Sequence, residues 1–233
     1  MIYKTVGQIL NKVRRETDTE VEDFIQPEEF IDYVQDAIDE AEAAIHRLGY
    51  EDEYFLTQST LTFQQGEQEV SLPEDIYASK IRAIVYHKNN DIYEIKRVRG
   101  RLKFENVAFT NKYGTGIDQI RYMLVNRSAE EGVRVMLLPA PTTTTSDVTV
   151  WYIRNANTVT TLNDIVDLPE FYTFVYRYVK YRVLDKENGP SADIAKSELE
   201  EERQRMIETL TEQVPDGDAG EIERDFSFYE ETF

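Results

Sequence analysis

The residues able to carry acid–base or metal chemistry are few in kind. The chain has two histidines, His46 and His87, no cysteine, and 45 carboxylates against 26 lysines and arginines. The histidines fall in different elements, and neither has a second ligand at a spacing that would close a metal site. His46 lies at the end of an acidic helical stretch, where a cation favours the negative end of the helix dipole. Structural or surface roles are expected for both. Gly114 and Gly116 do not lead from a strand into a helix, so no phosphate-cradling loop is present. A serine or threonine nucleophile needs a base beside it, and neither histidine is placed to serve. Asp216, Asp218 and Gly220 begin like a calcium loop. Gly220, however, stands at a ligand position, and Ser227 takes the place of the closing glutamate, so a solvated acidic linker is expected. No catalytic, cofactor-binding or metal-binding residues are expected, and the chain is read as a non-enzyme.

Three surface features remain. The first is acidic charge in two blocks. Fifteen acids lie between Glu16 and Glu53 against Arg47 alone, and seven between Pro215 and Phe233 against Arg224 alone. The rest of the chain is near neutral, and such segregation suggests surfaces with separate tasks. Asp32, Asp36, Asp39, Glu40 and Glu42 crowd the polar side of one helix, as a solvated face or a repulsive lining would. The second is a basic cluster around Gly100: Lys96, Arg97, Arg99, Arg101 and Lys103. A hairpin turning at Gly100 would gather that charge at its tip. The tip could touch DNA, neutralise a neighbouring subunit's acidic helix, or protect a sheet edge. The third is Asp225–Phe233, where Phe226, Phe228, Tyr229 and Phe233 place four aromatics in nine residues. Termini are normally polar, so these aromatics read as anchors for a partner.

The elements that position these residues follow from hydrophobic period. Thr5 to about Glu16 reads as a helix with Val6, Ile9, Leu10 and Val13 on one face. A longer helix opens at Pro27, where the missing N–H costs nothing, and ends at Gly49. Phe30, Val34, Ala37, Ile38, Ala41, Ile45 and Leu48 form its apolar stripe. From Phe55 to Tyr152 the pattern alternates, as in half-buried strands. Strands are expected at Phe55–Phe63, Ile81–His87, Ile92–Val98, Arg101–Phe109, Gln119–Val125, Val133–Leu138 and Val148–Ile153. A turn is expected at Leu72–Ile76. Helix returns after Pro169 with Phe171, Phe174, Val175, Tyr178, Val179 and Leu184 on one face. Ser191 caps another helix with Ala195, Leu199, Met206 and Leu210 inward. Beyond Pro215 no period holds, and the segment reads as an extended arm.

These readings define an α+β fold. Residues 1–52 give the N-terminal helices of a bundle, 53–160 an antiparallel β lobe (sandwich or small barrel), 161–214 a helical hairpin completing the bundle, and 215–233 the arm. At 233 residues and 41% hydrophobic content, the chain can bury a real core. No apolar run approaches the ~20 residues that span a bilayer. MIYKTVGQIL is not read as a signal peptide, so a soluble protein made in the cytoplasm and not associated with membranes is expected. A formal charge of −19 argues against broad charge-driven binding to nucleic acid.

The chain resembles the head-to-tail adaptor (connector) proteins of tailed bacteriophages, especially the tail tubular A-type and related portal-binding adaptors. The likeness rests on Gln8-Ile9-Leu10 and Val13, on Phe30-Ile31-Asp32-Tyr33-Val34-Gln35-Asp36-Ala37, and on Leu72-Pro73-Glu74-Asp75. It continues through Leu162-Asn163-Asp164 and Asp167-Leu168-Pro169 into a tyrosine-rich helix and an Ala/Glu-rich one. It implies a structural virion protein of the neck, forming a ring, commonly twelvefold, between the portal ring and the tail or nozzle proteins. Asp32, Asp36, Asp39 and Glu40 would then line a channel through which double-stranded DNA slides without specific binding. The aromatic arm would engage the portal. Two other readings are another neck or tail ring (head completion or tail terminator) and a β-sandwich binding module.

Overall fold

The computed structural model describes residues 3–17, 25–88, 91–98, 120–128, 132–138, 140, 145–187 and 190–212. In chain order these form β1 (Lys4–Thr5), α1 (Val6–Thr17), α2 (Pro27–Leu48), α3 (Glu51–Phe55), β2 (Leu56–Gln64) and β3 (Glu69–Ser71). Next come β4 (Ile76–Lys88), β5 (Asp91–Glu94), β6 (Lys96–Arg97), β7 (Arg121–Ser128), β8 (Gly132–Leu138), β9 (Thr145–Arg154) and β10 (Ile165–Val166). A 3-10 turn (Pro169–Phe171) leads into α4 (Tyr172–Glu187), and α5 (Ser191–Glu212) follows. The chain divides into two compact units, one from the described residues of Met1–Tyr50 with Ala156–Phe233, the other Glu51–Asn155. Among the described residues no helix is long and apolar enough to cross a membrane.

The first unit is a helical bundle. At the start of α1, the Gln8 amide oxygen accepts the Thr5 N–H at 3.2 Å and the Thr5 hydroxyl accepts the Gln8 N–H at 3.3 Å. This reciprocal box satisfies two donors that a helix start leaves over. α2 begins at Pro27 and ends where Gly49 adopts φ 84°, its N–H returning to the Ile45 carbonyl at 3.1 Å. Both boundaries follow from the residues that mark them. The stripes of α1, α2 and α5 are buried as their spacing predicts, except that Leu48 in the last turn of α2 is only half-buried, and Tyr33 joins the stripe of α2. α4 differs. It packs against α1, α2 and α5 at once, so Tyr176 and Val183 are buried as well as Phe174, Val175, Val179 and Leu184.

The segment leading to β10 lies against the start of α1. Leu162 and Asp164 accept the N–H groups of Gly7 (2.8 Å) and Val6 (3.0 Å), and β1 pairs antiparallel with β10. The Asp164 carboxylate in turn accepts the Thr160 and Thr161 N–H groups at 2.7 and 2.8 Å, which holds its acid form below the usual carboxylate range. Gly7 permits this approach, because a Cβ there would sit 3.0 Å from the Leu162 carbonyl oxygen.

The second unit holds two four-stranded sheets, ordered β2-β9-β4-β5 and β3-β8-β7-β6. Leu61, Phe63, Ile84, Val148 and Val150 from one sheet and Tyr122, Val135 and Leu137 from the other share one core. Among the described residues the two sheets do not close on each other, so of the two architectures expected the arrangement is the sandwich and not the small barrel. Among the described strands pairing is antiparallel except at β6, which runs parallel to β7, Lys96 beside Arg121 and Arg97 beside Tyr122. The strand expected over Ile92–Val98 is divided between the two sheets. Ile95 sits at the change, 3% exposed, donating its N–H to Ile84 at 2.7 Å. β4 is interrupted by left-handed backbone at Ala78 and Ser79, where its register with β9 shifts. The expected strand over Arg101–Phe109 and the turn at Gly100 lie outside the described residues.

In an ordinary helix, alanine in place of glycine stabilises by ~1 kcal/mol. Gly7→Ala should instead lower the unfolding midpoint, by an amount equivalent to about 1 kcal/mol, and Gly7→Val should lower it further. Thermal unfolding followed by circular dichroism checks this, and a raised midpoint would show that the Leu162 contact is soft.

Candidate functional site

The bundle sorts the carboxylates of α2 into two sets. Those turned toward the rest of the unit are engaged. Glu29 accepts the Tyr33 hydroxyl at 2.6 Å and the Lys186 ammonium. Glu40, half-buried, accepts from the guanidinium of Arg203 on α5, which also holds Glu200. Glu42 accepts the Ala156 N–H at 2.9 Å and lies 3.5 Å from the buried His46 imidazole. Gln35 accepts the Val159 N–H at 2.9 Å and donates to Asp39 at 2.6 Å. Asp32, Asp36 and Asp39, by contrast, are exposed. Steps of four and three residues place them on one helical face. The described ion pairs of α2 run through Glu29, Glu40 and Glu42, leaving these three aspartates, with Glu28 a turn before Asp32, as an acidic stripe facing solvent.

α4 supplies most of the partners. Lys180 lies between Glu16 and Glu198 at 3.6 and 3.4 Å, and Arg177 also holds Glu198. The Tyr176 hydroxyl donates to Glu16, while the Lys12 ammonium stands 3.7 Å from the Tyr176 ring centre. Arg182 lies over the Tyr33 ring at 4.9 Å. The protonation equilibria follow. The Tyr176 bond holds the Glu16 carboxyl below its usual range, and the Lys186 and Tyr33 bonds do the same for Glu29. Burial, reinforced by Glu29, pushes the Tyr33 phenol up to about 12. Burial and Glu16 raise Tyr176, and the Glu40 bond raises Arg203. Every one of these shifts runs away from neutrality. A general acid–base pair working at neutral pH needs the opposite, so this network is one of fixed charges.

A second cluster, in the other unit, escaped the sequence reading. Glu51 at the start of α3 is buried and accepts from Lys80 (2.9 Å) and Arg82 (3.1 Å), while Asp52 takes the other side of Arg82 at 2.6 Å. Burial pulls the Glu51 carboxyl up, and the cations on β4 outweigh it, so the net shift is downward. Among the described residues no three histidines or acids are placed to hold a metal ion.

Of the basic cluster, Arg97 is exposed on β6. Arg99, Arg101 and Lys103 lie outside the described residues, as do Phe226, Phe228, Tyr229 and Phe233 of the arm. His87 lies on β4 in register with Ile92. The sequence reading also passed over Arg177, Lys180, Arg182 and Lys186. Their signal is the alternation of Tyr with Arg and Lys through Tyr172–Glu187, which marks a helix flanked by acidic neighbours.

The family profile described as SU10 adaptor protein matches residues 4–221, and the chain belongs to that family. The match takes in both units and stops short of the arm's four aromatics. No curated protein matches the chain.

The depressed carboxyl of Glu29 has a consequence for acid stability. Unfolded, it titrates near 4.5. A group whose folded value lies lower contributes its full stability above the unfolded value and loses it as pH falls through the folded one. Wild type should therefore exceed Glu29→Gln in denaturant midpoint at neutral pH, and the gap should close below about pH 4.5. Comparing the two proteins cancels the change in overall charge. A gap that persists at low pH would contradict the Lys186 and Tyr33 contacts.

Proposed function

We propose, from membership of this adaptor family, that the chain is a structural protein of a phage virion, forming a ring between the portal and the tail. The Asp32, Asp36 and Asp39 stripe is the observation that carries the reading furthest. On α2 the bundle ties Glu29, Glu40 and Glu42 and leaves these three exposed on one face, with Glu28 exposed a turn before them. Repeated round a ring, such stripes would present a wall of negative charge to DNA. Phosphate repulsion acts over about a Debye length, ~8 Å at physiological salt, so the duplex would pass without adhering. Glu40 belongs to this wall through its helix, although it is also tied to Arg203. The chain acts on no bond in this reading and needs no cofactor.

The arm over 215–233 supplies attachment to the portal, with Phe226, Phe228, Tyr229 and Phe233 as anchors. The β sandwich offers a surface to tail or nozzle proteins. The basic residues Arg97, Arg99, Arg101 and Lys103 would meet either DNA or a neighbouring copy's acids. The chain's place in the virion is then the neck, and ring order is set by the portal it meets.

Truncation after Val214 should leave a folded protein that no longer co-purifies with its portal ring, and retained binding would overturn the role of the arm. A truncated protein that loses the portal but still caps a tail tube would favour a tail-side ring instead. Asp32, Asp36 and Asp39 replaced together by lysine should spare assembly and slow DNA ejection severalfold or more. Glu40 is left unchanged in this variant because its loss would free Arg203 inside the bundle. Unaltered ejection kinetics would mean that the stripe does not face the DNA.

A further inference from the structure

β2 is the outermost strand of its sheet, with β9 on one side and, among the described residues, no strand on the other. It pairs with β9 over all nine residues, from Leu56 opposite Ile153 to Gln64 opposite Thr145, without a break in register. In an antiparallel ladder alternate residues turn their N–H and C=O groups away from the partner strand. On the open side, the described bonds are confined to Gln64, whose N–H and C=O both meet Glu67 at 3.0 Å. The rest is a row of unpaired donors and acceptors, which is a template for a further strand.

Edge strands are usually blunted by lysine, proline, a bulge or shortness. Leu-Thr-Gln-Ser-Thr-Leu-Thr-Phe-Gln has no charge, no proline and no glycine. The opposite side of the same sheet is different. β5 is four residues long, and β4 beneath it carries the left-handed interruption at Ala78 and Ser79. β3 and β6, at the ends of the other sheet, have three and two residues. Among the described outer strands only β2 itself matches β2 in length.

We propose that β2 of one copy pairs antiparallel with β2 of a second copy, joining their sheets across a two-fold axis in a dimer of the free chain. Charge favours a second copy at this place. Chains of net charge −19 repel wherever carboxylates meet, and β2 is an uncharged strip. Pairing centred on Thr60 sets Thr60 opposite Thr60 and Gln58 opposite Thr62, and stops short of Gln64, which keeps its Glu67 bonds; no like charges face each other, and cross-strand threonine pairs are favourable. Asp147 lies one strand in, where it accepts the Thr62 hydroxyl at 2.8 Å. Leu56, 41% exposed on the outer face, gains cover. A two-fold contact closes on itself, so it does not build a ring. This inference is independent of the adaptor reading.

Sedimentation velocity of the full chain over a range of concentrations tests it, alongside Thr60→Lys and Thr60→Cys. The Thr60 side chain is exposed, so neither change disturbs the core. Wild type should associate to a dimer, and Thr60→Lys should raise the dissociation constant about tenfold or more, which is ~1.4 kcal/mol. The chain has no native cysteine, so Thr60→Cys should give a single disulfide-linked dimer on oxidation. A wild type that stays monomeric, or a dimer indifferent to Thr60→Lys, would overturn the proposal. So would β2 amides that gain hydrogen-exchange protection only when portal or tail proteins are added, since the occupant would then be another protein.

Discussion

The bundle depends on one helix that reconciles an acidic neighbourhood with a buried position. α4 is in contact with α1, α2 and α5, and two of those helices carry dense carboxylates. Its inward residues, among them Phe174, Val175, Val179 and Val183, are apolar. Its margins carry Arg177, Lys180, Arg182 and Lys186, which meet Glu198, Glu16, the Tyr33 ring and Glu29. Burying a large apolar side chain stabilises by ~1.5–3 kcal/mol, whereas a half-exposed ion pair contributes ~0–1 kcal/mol. Apolar burial therefore holds the helices together. The charged margin sets which faces meet, because an acid turned inward without its partner would cost several kcal/mol, of order 3–5 for a buried pair broken on one side.

That sorting gives the outer surface its meaning. α2 could have offered a uniform ring of carboxylates to solvent, and instead Glu29, Glu40 and Glu42 bind the bundle and the segment after Asn155. What is left is narrow: Glu28 and the three aspartates, at helical steps along a single face. A narrow stripe on a rigid helix can be aimed. It also separates two tasks that charge would otherwise confuse, since the acids that hold the protein together are distinct from those available to a partner.

Local marks made much of this legible in the sequence. Pro27 and Gly49 bound α2, and the apolar steps of α1, α2 and α5 name their buried residues. The face shared by Asp32, Asp36 and Asp39 follows from helical period alone. What stayed hidden depends on distance along the chain. Arg203 lies 163 residues from Glu40, and nothing near Glu40 announces it. The burial of Tyr176 arises because α4 has neighbours on more than one side, which a single-stripe reading does not allow. The change of sheet at Ile95 interrupts an alternation that continues smoothly through Ile92–Val98. β6 then finds β7 in parallel across a long connection, where local turn residues speak only for hairpins. Glu51 reads as one more surface acid until Lys80 and Arg82 come to it from β4.

The most direct test of the account is electron cryo-microscopy of purified portal rings incubated with the chain, at a resolution that orients α2. The expected result is a closed ring of copies bound to the portal, with Asp32, Asp36 and Asp39 of every copy turned toward the central axis. A ring in which that stripe is buried between copies or faces outward would contradict it, as would portal rings that stay bare.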